Sequence, residues 1–371
     1  MKKVGILTGG GDAPGLNAVI RGVVTRLAHD TSTEWKCIGF VDGWAGLRDD
    51  HKVDLDMKNV GEIIYEGGTI LGTSRTNLYK SPDHVTRALA VWKRHELDAL
   101  VAIGGDDTLE IGYYLFRDYK LNVVGVPKTI DNDVNGTDFT FGFWSSVEQA
   151  TRAIDALRST TMSHHRIMVV ECMGRHAGWI GAYSGMASAA DYIAVPEKPV
   201  DIQEICDVLK RVRATGKSHS IVVVTEGSKI SGIEVAPHVV KDGTGRWTLS
   251  AEAQYDSFKN VILQPGQVGE AVAGELQKRT GFEARAIALG HLQRGGSPAA
   301  YDRILGTRYG VAAGEAVIGN KWGHMVRLAG LEVEAIPMKG LIRETQDEKK
   351  KYKLLPTSFI EMASYFWSSK T

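Results

Sequence analysis

Two pairs of carboxylates and a few arginines, each set beside glycines, are the residues in this 371-residue chain whose types and spacing could do chemistry. Gly104-Gly105-Asp106-Asp107 follows an apolar run that ends at Ile103. Two glycines where a strand gives way to a helix let backbone N–H groups come close to an anion. The two carboxylates behind them repel a bare phosphate, so the stretch asks for Mg2+ shared with a phosphate whose position is tightly limited. On that reading Asp106 is a metal partner and Asp107 a restriction. An ordinary strand-to-helix turn, with Asp107 capping and Asp106 solvated, uses the same residues. Asp131 and Asp133 stand two apart; in an extended segment they share a face, with Asn132 turned away. One of such a pair can accept a hydroxyl proton while the other orients it or helps hold metal. Arg75 closes a loop, Gly67 to Ser74, dense in glycine and hydroxyls, from which a guanidinium can grip phosphate with two hydrogen bonds. Glu226 ends another apolar run and can accept from sugar hydroxyls. His291 and Arg294 flank a glycine loop with Arg285 nearby, a cluster suited to a sugar phosphate.

These residues need a scaffold, and the pattern of the chain supplies one. Short apolar runs (Lys3–Thr8, Cys37–Val41, Leu97–Ile103, Leu121–Val126, Arg166–Cys172, Ser220–Glu226 and Arg285–Leu289) alternate with helical periodicity after Leu16, over His84–Arg94, over Gln267–Thr280 and from Tyr301 onward. That alternation predicts an α/β fold with a parallel sheet, whose ligands bind beyond the carboxyl ends of the strands. The motifs from the first strand through Asp133 fall on that edge. Gly9-Gly10-Gly11-Asp12-Ala13-Pro14-Gly15 matches neither the dinucleotide fingerprint nor the P-loop; a phosphate cradle of another kind and a plain tight turn both fit it. Ser145 is the expected N-cap of a helix whose apolar face runs through Val147, Ala150, Ile154 and Leu157. Between Gly227 and Gly266, a turn at Lys241–Arg246 separates short β-like pieces, which would suit an interface element or a cover over a site.

Length allows two full domains. Lys plus Arg and Asp plus Glu are equal at 44 each, so no global field draws the protein to nucleic acid or to an anionic membrane. Cys37, Cys172 and Cys206 have no metal spacing and are expected to be buried and inert. With no signal-peptide core and no apolar run long enough to span a bilayer, the expected location is cytoplasmic. The Asp347–Lys353 charge run reads as a solvated segment.

The combination of motifs carries a resemblance. Thr8 through Asn17, Gly67-Gly68-Thr69-Ile70-Leu71-Gly72-Thr73-Ser74-Arg75, Gly104-Gly105-Asp106 and Thr129-Ile130-Asp131-Asn132-Asp133, in this order, resemble the phosphofructokinase family. Ser163-His164-His165-Arg166, Met173-Gly174-Arg175, Glu226, and Arg285 through Gly290-His291-Leu292-Gln293-Arg294-Gly295-Gly296-Ser297-Pro298 extend the resemblance over nearly the whole chain. It implies two Rossmann-like three-layer α/β/α domains with mainly parallel sheets and the active site in the cleft between them. Residues 1–142 plus 293–345 would take the phosphoryl donor and Mg2+, and 143–292 plus 346–371 the sugar phosphate. The implied reaction is Mg2+-dependent phosphoryl transfer to the 1-hydroxyl of fructose 6-phosphate, reversible and so serving glycolysis and gluconeogenesis. Asp131 would be the general base, supported by Thr129 and Asp133. Arg75, Arg175 and Lys128 would balance the charge of the transferring group. Asp106 would hold the metal, and Gly11 and Gly105 would let the backbone approach the donor. Arg166, Met173, Gly174, Arg175, Glu226, Arg285, His291 and Arg294 would bind the sugar phosphate. Arg166 and Arg285 would come from a neighbouring subunit, which implies a homodimer or homotetramer with shared active sites.

Two positions bear on the donor. ATP-using members of that family carry glycine at the places of Asp107 and Lys128; pyrophosphate-using members carry Asp and Lys. A carboxylate at 107 fills and charges the space that a nucleotide's α-phosphate needs. Lys128 gives a compact cation to a small donor that lacks adenosine contacts. Pyrophosphate is therefore the expected donor. An ATP-dependent 6-phosphofructokinase is the nearest alternative, and a non-catalytic sugar-phosphate-sensing subunit is another; sedoheptulose 7-phosphate is a further candidate substrate. At the basic pocket where bacterial ATP-using members bind effectors, Arg21 and Arg158 match, but Thr25 and Ser218 replace basic residues, so weak effector binding is expected.

Overall fold

Apolar runs bounded by glycine or a carboxylate become sheet strands. The computed structural model describes residues 1–233, 239–241, 247–249, 266–341 and 352–367. Two units are distinguished: Met1–Ser145 with Arg294–Lys351, and Ser146–Gln293 with Tyr352–Thr371.

In the first unit, β1 (Lys2–Thr8), β2 (Trp35–Phe40), β3 (Lys52–Leu55), β4 (Ala99–Gly104) and β5 (Val123–Pro127) are joined late in the chain by β14 (His324–Ala329) and β15 (Glu332–Pro337). The sheet order is β15-β14-β5-β4-β1-β2-β3. Its five central strands run parallel and the two edge strands antiparallel. Every residue of β4 is buried, as is β1 from Val4 onward, because helices cover both faces of a parallel sheet. Those helices are α1 (Leu16–Ala28), α2 (Trp44–Asp49), α3 (Met57–Val60), α4 (Pro82–His95), α5 (Asp106–Tyr119) and α10 (Ala300–Ile318). α1 and α10 touch backbone to backbone: a Cβ on Gly22 would lie 2.7 Å from the Thr307 carbonyl, and one on Gly310 would overlap the Val19 carbonyl. The chain leaves β1 toward β2 on one side, while β4 pairs on the other, so the β1/β4 boundary is a topological switch point. The loops beyond it part there and leave a crevice.

In the second unit, β6 (Ile167–Cys172), β7 (Tyr192–Ala194), β9 (Ser220–Thr225) and β13 (Ala284–Ala288) form an all-parallel sheet in the order β13-β6-β9-β7. β8 (Val200–Asp201) pairs with β10 (Ile230–Ser231), and β11 (Val239–Lys241) pairs antiparallel with β12 (Trp247–Leu249). The helices are α7 (Trp179–Ala187), α8 (Ile202–Ala214), α9 (Gln267–Thr280) and α11 (Thr357–Ser364), with the greater part of α6 (Phe143–Ser163). A buried carboxylate, Glu171 of β6, accepts from Gly266 N at 2.5 Å and Gly269 N at 2.7 Å and so caps α9.

The mixed α/β architecture with mainly parallel sheets agrees with the sequence pattern. All three cysteines are free and buried, and burial pushes the Cys37 and Cys172 thiols up to about 12. Among the described residues no helix is long and apolar enough to cross a membrane. The short β pieces around 239–249 are present, whereas the Lys241–Arg246 turn beyond Lys241 and the Asp347–Lys353 run before Tyr352 lie outside the described residues. Two readings need correction. The sequence pattern assigns nothing to the β14–β15 hairpin: β14 alternates only imperfectly between buried and half-buried positions, and no residue of β15 is buried. Ser145 is not an N-cap: α6 begins two residues earlier, and both the N–H and the hydroxyl of Ser145 donate to Asp302 Oδ2 at 2.7 Å. The cap comes from a residue 157 positions away, on α10, which no local pattern announces.

Asp302 is fully buried, so its removal leaves two donors unsatisfied. Asp302→Ala should cost about 1–3 kcal/mol and lower the thermal unfolding midpoint. Asp302→Asn, which keeps one acceptor, should cost less; equal midpoints for the wild type and Asp302→Ala would show that the cap is dispensable.

Candidate active site

The glycine loop after β1 and the Gly104–Asp107 turn after β4 meet at the switch point of the first unit, where Gly9 N donates to Ile103 O at 2.9 Å. Gly10 N donates to Ser74 O at 3.0 Å and Thr73 Oγ1 to Gly10 O at 2.7 Å, so the loop that carries Arg75 is fastened to the glycine loop. Asn17, buried on α1, secures the same loop further back, accepting from Ile70 N at 2.9 Å and donating to Glu66 O at 3.2 Å. Arg75 itself is exposed.

α5 begins at Asp106, with Gly105 as its N-cap residue, so Asp106 and Asp107 both stand in its first turn. There they meet the positive end of the helix dipole, which steadies their charge. Asp107 does not cap the helix. Next to this turn, Lys128 follows β5 with its N–H on Gly104 O at 2.9 Å, and its side chain runs back under the glycine loop to donate from Nζ to Gly11 O. Lys128 is 3% exposed. Burial, then the Arg294 guanidinium, pull its pKa down to about 7, against the opposing pull of Asp12, Asp131 and Asp133. Arg294 rests on the same loop: Nη1 donates to Asp12 O at 2.9 Å, and a Cβ on Gly11 would lie 2.7 Å from it.

The Thr129–Asp133 segment departs from the extended form expected for it. Asn132 has φ 51°, is fully buried and accepts from Thr140 N at 3.1 Å, so strand alternation does not place Asp131 and Asp133 on one face. Asparagine tolerates the left-handed region, and its amide holds the turn. Asp131 N donates to Thr129 Oγ1 at 3.0 Å. Asp131 Oδ1 is shielded from water and accepts no hydrogen bond among the described residues. A buried carboxylate oxygen left open needs a proton, a hydroxyl or a cation.

In the second unit, three adjacent strands bring their carboxyl ends together. Met173-Gly174-Arg175 follows β6, Glu226 follows β9, and Gly290-His291 follows β13. Glu226 is buried, and its Oε1 accepts from Gly174 N at 3.4 Å. Gln293, fully buried, accepts from Met173 N at 3.4 Å and donates to Gly290 O at 3.2 Å, tying the first and third loops together. The sequence reading passed over Gln293, because an uncharged amide carries no signal of burial. His291 is exposed.

Arg285 stands away from His291, toward the opposite end of β13. It lies at the amino end of β13, where its Nη2 meets Glu283 Oε1 at 2.9 Å, and Arg166, just before β6, reaches the same carboxylate at 3.9 Å. A strand rising about 3.3 Å per residue puts Arg285 roughly 10 Å, and Arg166 roughly 20 Å, from the carboxyl ends of their own strands. Of the residues matched to an effector pocket, Arg21 donates to Gly61 O at 3.0 Å, Arg158 to Ser188 O, and Thr25 to the Met57 sulfur.

A divalent metal fits the first unit. Among the described residues no three His, Cys, Asp or Glu side chains gather into a cage. Mg2+ characteristically takes one or two carboxylates and fills its shell with phosphate oxygens and water. Asp106 in the first turn of α5 is a donor of that kind.

The phosphofructokinase family model matches residues 3–317. The pyrophosphate–fructose 6-phosphate 1-phosphotransferase of Amycolatopsis methanolica is 46% identical over 338 residues, covering 91% of this chain and 93% of that one. The ATP-dependent 6-phosphofructokinase of Corynebacterium efficiens is 43% identical over 335 residues, covering 90% and 92%. The crystal structure of Pichia pastoris phosphofructokinase in the T-state superposes with a TM-score of 0.74 at 31% identity; it covers 91% of this chain, which spans 35% of the yeast one.

The state of Lys128 sets a pH dependence. Its pKa is lowered from 10.5 to about 7, so above pH 7 the unliganded site must take up a proton to present a cation. Pyrophosphate affinity, measured by calorimetry, should therefore fall by up to about tenfold per pH unit above 7, relative to the profile of Lys128→Met. The same shift means that the unfolded chain binds more protons between about pH 7 and 10.5, so stability should rise with pH across that window. Parallel profiles for wild type and Lys128→Met would rule out this role.

Proposed function

This chain belongs to the phosphofructokinase family, and we propose that it takes its phosphoryl group from pyrophosphate, converting fructose 6-phosphate to fructose 1,6-bisphosphate and phosphate. The observation that carries the donor choice is the buried Lys128 ammonium on the Gly11 carbonyl, on the strand beside the one that leads to Asp107. A buried cation that needs an anion favours the small, dense charge of pyrophosphate. A carboxylate in the adjoining turn opposes any donor with a further phosphate and nucleoside beyond. Relatives of nearly equal similarity bear both pyrophosphate and ATP names, so overall identity does not decide the donor, and the reading rests on these side chains.

In the proposed mechanism Asp131 accepts the proton of the sugar's 1-hydroxyl at its open Oδ1 while the new O–P bond forms and the P–O–P bond breaks, with phosphate leaving. Thr129 fixes the Asp131 backbone, and Asp133 adds to the local charge. Arg75 and Arg175 neutralise the oxygens of the group in transfer; Lys128, with Arg294 against the same loop, holds the phosphate left behind. Such placement supplies most of the catalysis in phosphoryl transfer. Asp106 would hold Mg2+, which when bound shares charge with the donor and lets phosphates stand beside carboxylates. Met173, Gly174, Glu226 and His291 take the sugar phosphate. The amino-end position of Arg166 and Arg285 supports the reading that they serve the site of another subunit in a homodimer or homotetramer. Because the bond broken and the bond made are close in energy, the reaction runs both ways, in glycolysis and in gluconeogenesis.

Forward rates with fructose 6-phosphate and Mg2+, comparing pyrophosphate with ATP in one preparation, test the donor. Turnover with pyrophosphate and none with ATP is expected; the reverse would refute the roles given to Asp107 and Lys128. Asp131→Asn should lower kcat by about 10²–10⁴-fold while KM changes little. Unchanged kcat would remove Asp131 as the base.

A further inference from the structure

We propose that Tyr79, Glu110 and Tyr114 form a seam that closes the surface beside the donor loops to a nucleoside, so that they are specificity residues in addition to Asp107. This rests on the pyrophosphate reading above. α5 starts in the donor crevice, and its less buried side runs through Asp107, Glu110, Tyr114 and Arg117, spaced i, i+3, i+7 and i+10, which is one stripe of a helix. At 1.5 Å per residue that stripe leads about 15 Å away from the donor end.

The stripe is built, not merely solvated. Tyr114 OH donates to Glu110 Oε1 at 2.7 Å. The Arg117 guanidinium lies over the Tyr114 ring, 4.4 Å from its centroid, and is gripped by Asp118 through two hydrogen bonds of 2.6 and 3.0 Å. Tyr79 meets the Tyr114 ring edge-on, with centroids 5.5 Å apart and planes at 79°. Tyr79 stands only four residues beyond Arg75, and the turn that carries it is held by Tyr79 N on Asn77 Oδ1 at 2.9 Å. Burial pushes the Tyr79 hydroxyl above its ordinary range. The two elements that flank the donor loops in the first unit are thus stitched together by aromatic rings.

A nucleotide carries ribose and base outward from its α-phosphate, past the point where pyrophosphate ends. Asp107 opposes the α-phosphate by charge. Beyond it the seam presents a second carboxylate, Glu110, and two rings packed against each other where ribose and base need a trough. Charge at one place and volume at the next are separable, so relieving only the first should leave nucleotide binding weak.

Calorimetry with ADP and Mg2+ on the full chain separates them, comparing Asp107→Gly alone, Asp107→Gly with Tyr79→Ala and Tyr114→Ala, and Asp107→Gly with Tyr114→Phe. The triple variant should bind ADP at least about tenfold more tightly than Asp107→Gly, while the variant with Tyr114→Phe, which keeps the ring, should match Asp107→Gly. Equal ADP affinity in the triple variant and Asp107→Gly, including no binding to either, overturns the proposal. Tyr79→Ala with Tyr114→Ala in the otherwise unchanged chain should keep pyrophosphate kcat/KM within about twofold. A larger loss would make the rings a support of the donor site and would also overturn it. Wild-type turnover with ATP would bring down the donor reading itself, an outcome distinct from equal ADP affinity in the two variants.

Discussion

A lysine amine held out of water is the constraint to which the loops beyond β1, β4 and β5 are fitted. Lys128 is nearly inaccessible, with a guanidinium close by. Desolvation and like charge both favour its neutral form, and only the Gly11 carbonyl and three carboxylates pull the other way. Such a group is costly in the empty protein and becomes favourable when a multiply charged anion arrives. The glycines around it follow from the same constraint: a side chain on Gly11 would displace Arg294, and one on Gly10 would crowd Lys128 Nζ at 3.3 Å.

The position of this cation comes from topology. β1, β4 and β5 are neighbours in a parallel sheet, so the residues after their carboxyl ends are neighbours too. Gly9–Gly11, Gly104–Asp107 and Lys128–Asp133 are far apart in sequence and meet for that reason alone. The second unit uses the same rule with β13, β6 and β9, which bring His291, Arg175 and Glu226 to one edge. Buried amides and carboxylates then fix the loops: Gln293 joins the β6 and β13 loops, while Asp302 and Glu171 each cap a helix from a distance.

Donor choice in this family is not a property of the fold. Relatives with pyrophosphate names and with ATP names match this chain almost equally well over almost the same length. A few side chains must therefore carry the distinction. In the proposed reading, Asp107 and Lys128, just beyond the adjacent strands β4 and β5, are such a pair, one acting against the larger ligand and one for the smaller.

The amino-acid sequence by itself determined the α/β class, the strands that arise from its apolar runs to within two residues, the carboxyl-edge location of the glycine and paired-carboxylate motifs, and the family. Those features depend on local alternation of apolar runs and on short motifs whose chemistry is local. Only the tertiary structure decided how distant groups pair. It put Arg294 on the glycine loop after β1 and Arg285 near the amino end of its strand, although the two are nine positions apart. It turned Asn132 inward through a left-handed bend, and it capped α6 with Asp302 from 157 residues away. Lys128 has the same character: its charge is written in the sequence, but its burial, and hence its depressed pKa, exists only once β1, β4 and β5 lie side by side and the glycine loop closes over it. Desolvation is a property of the assembled surroundings, which no residue carries alone.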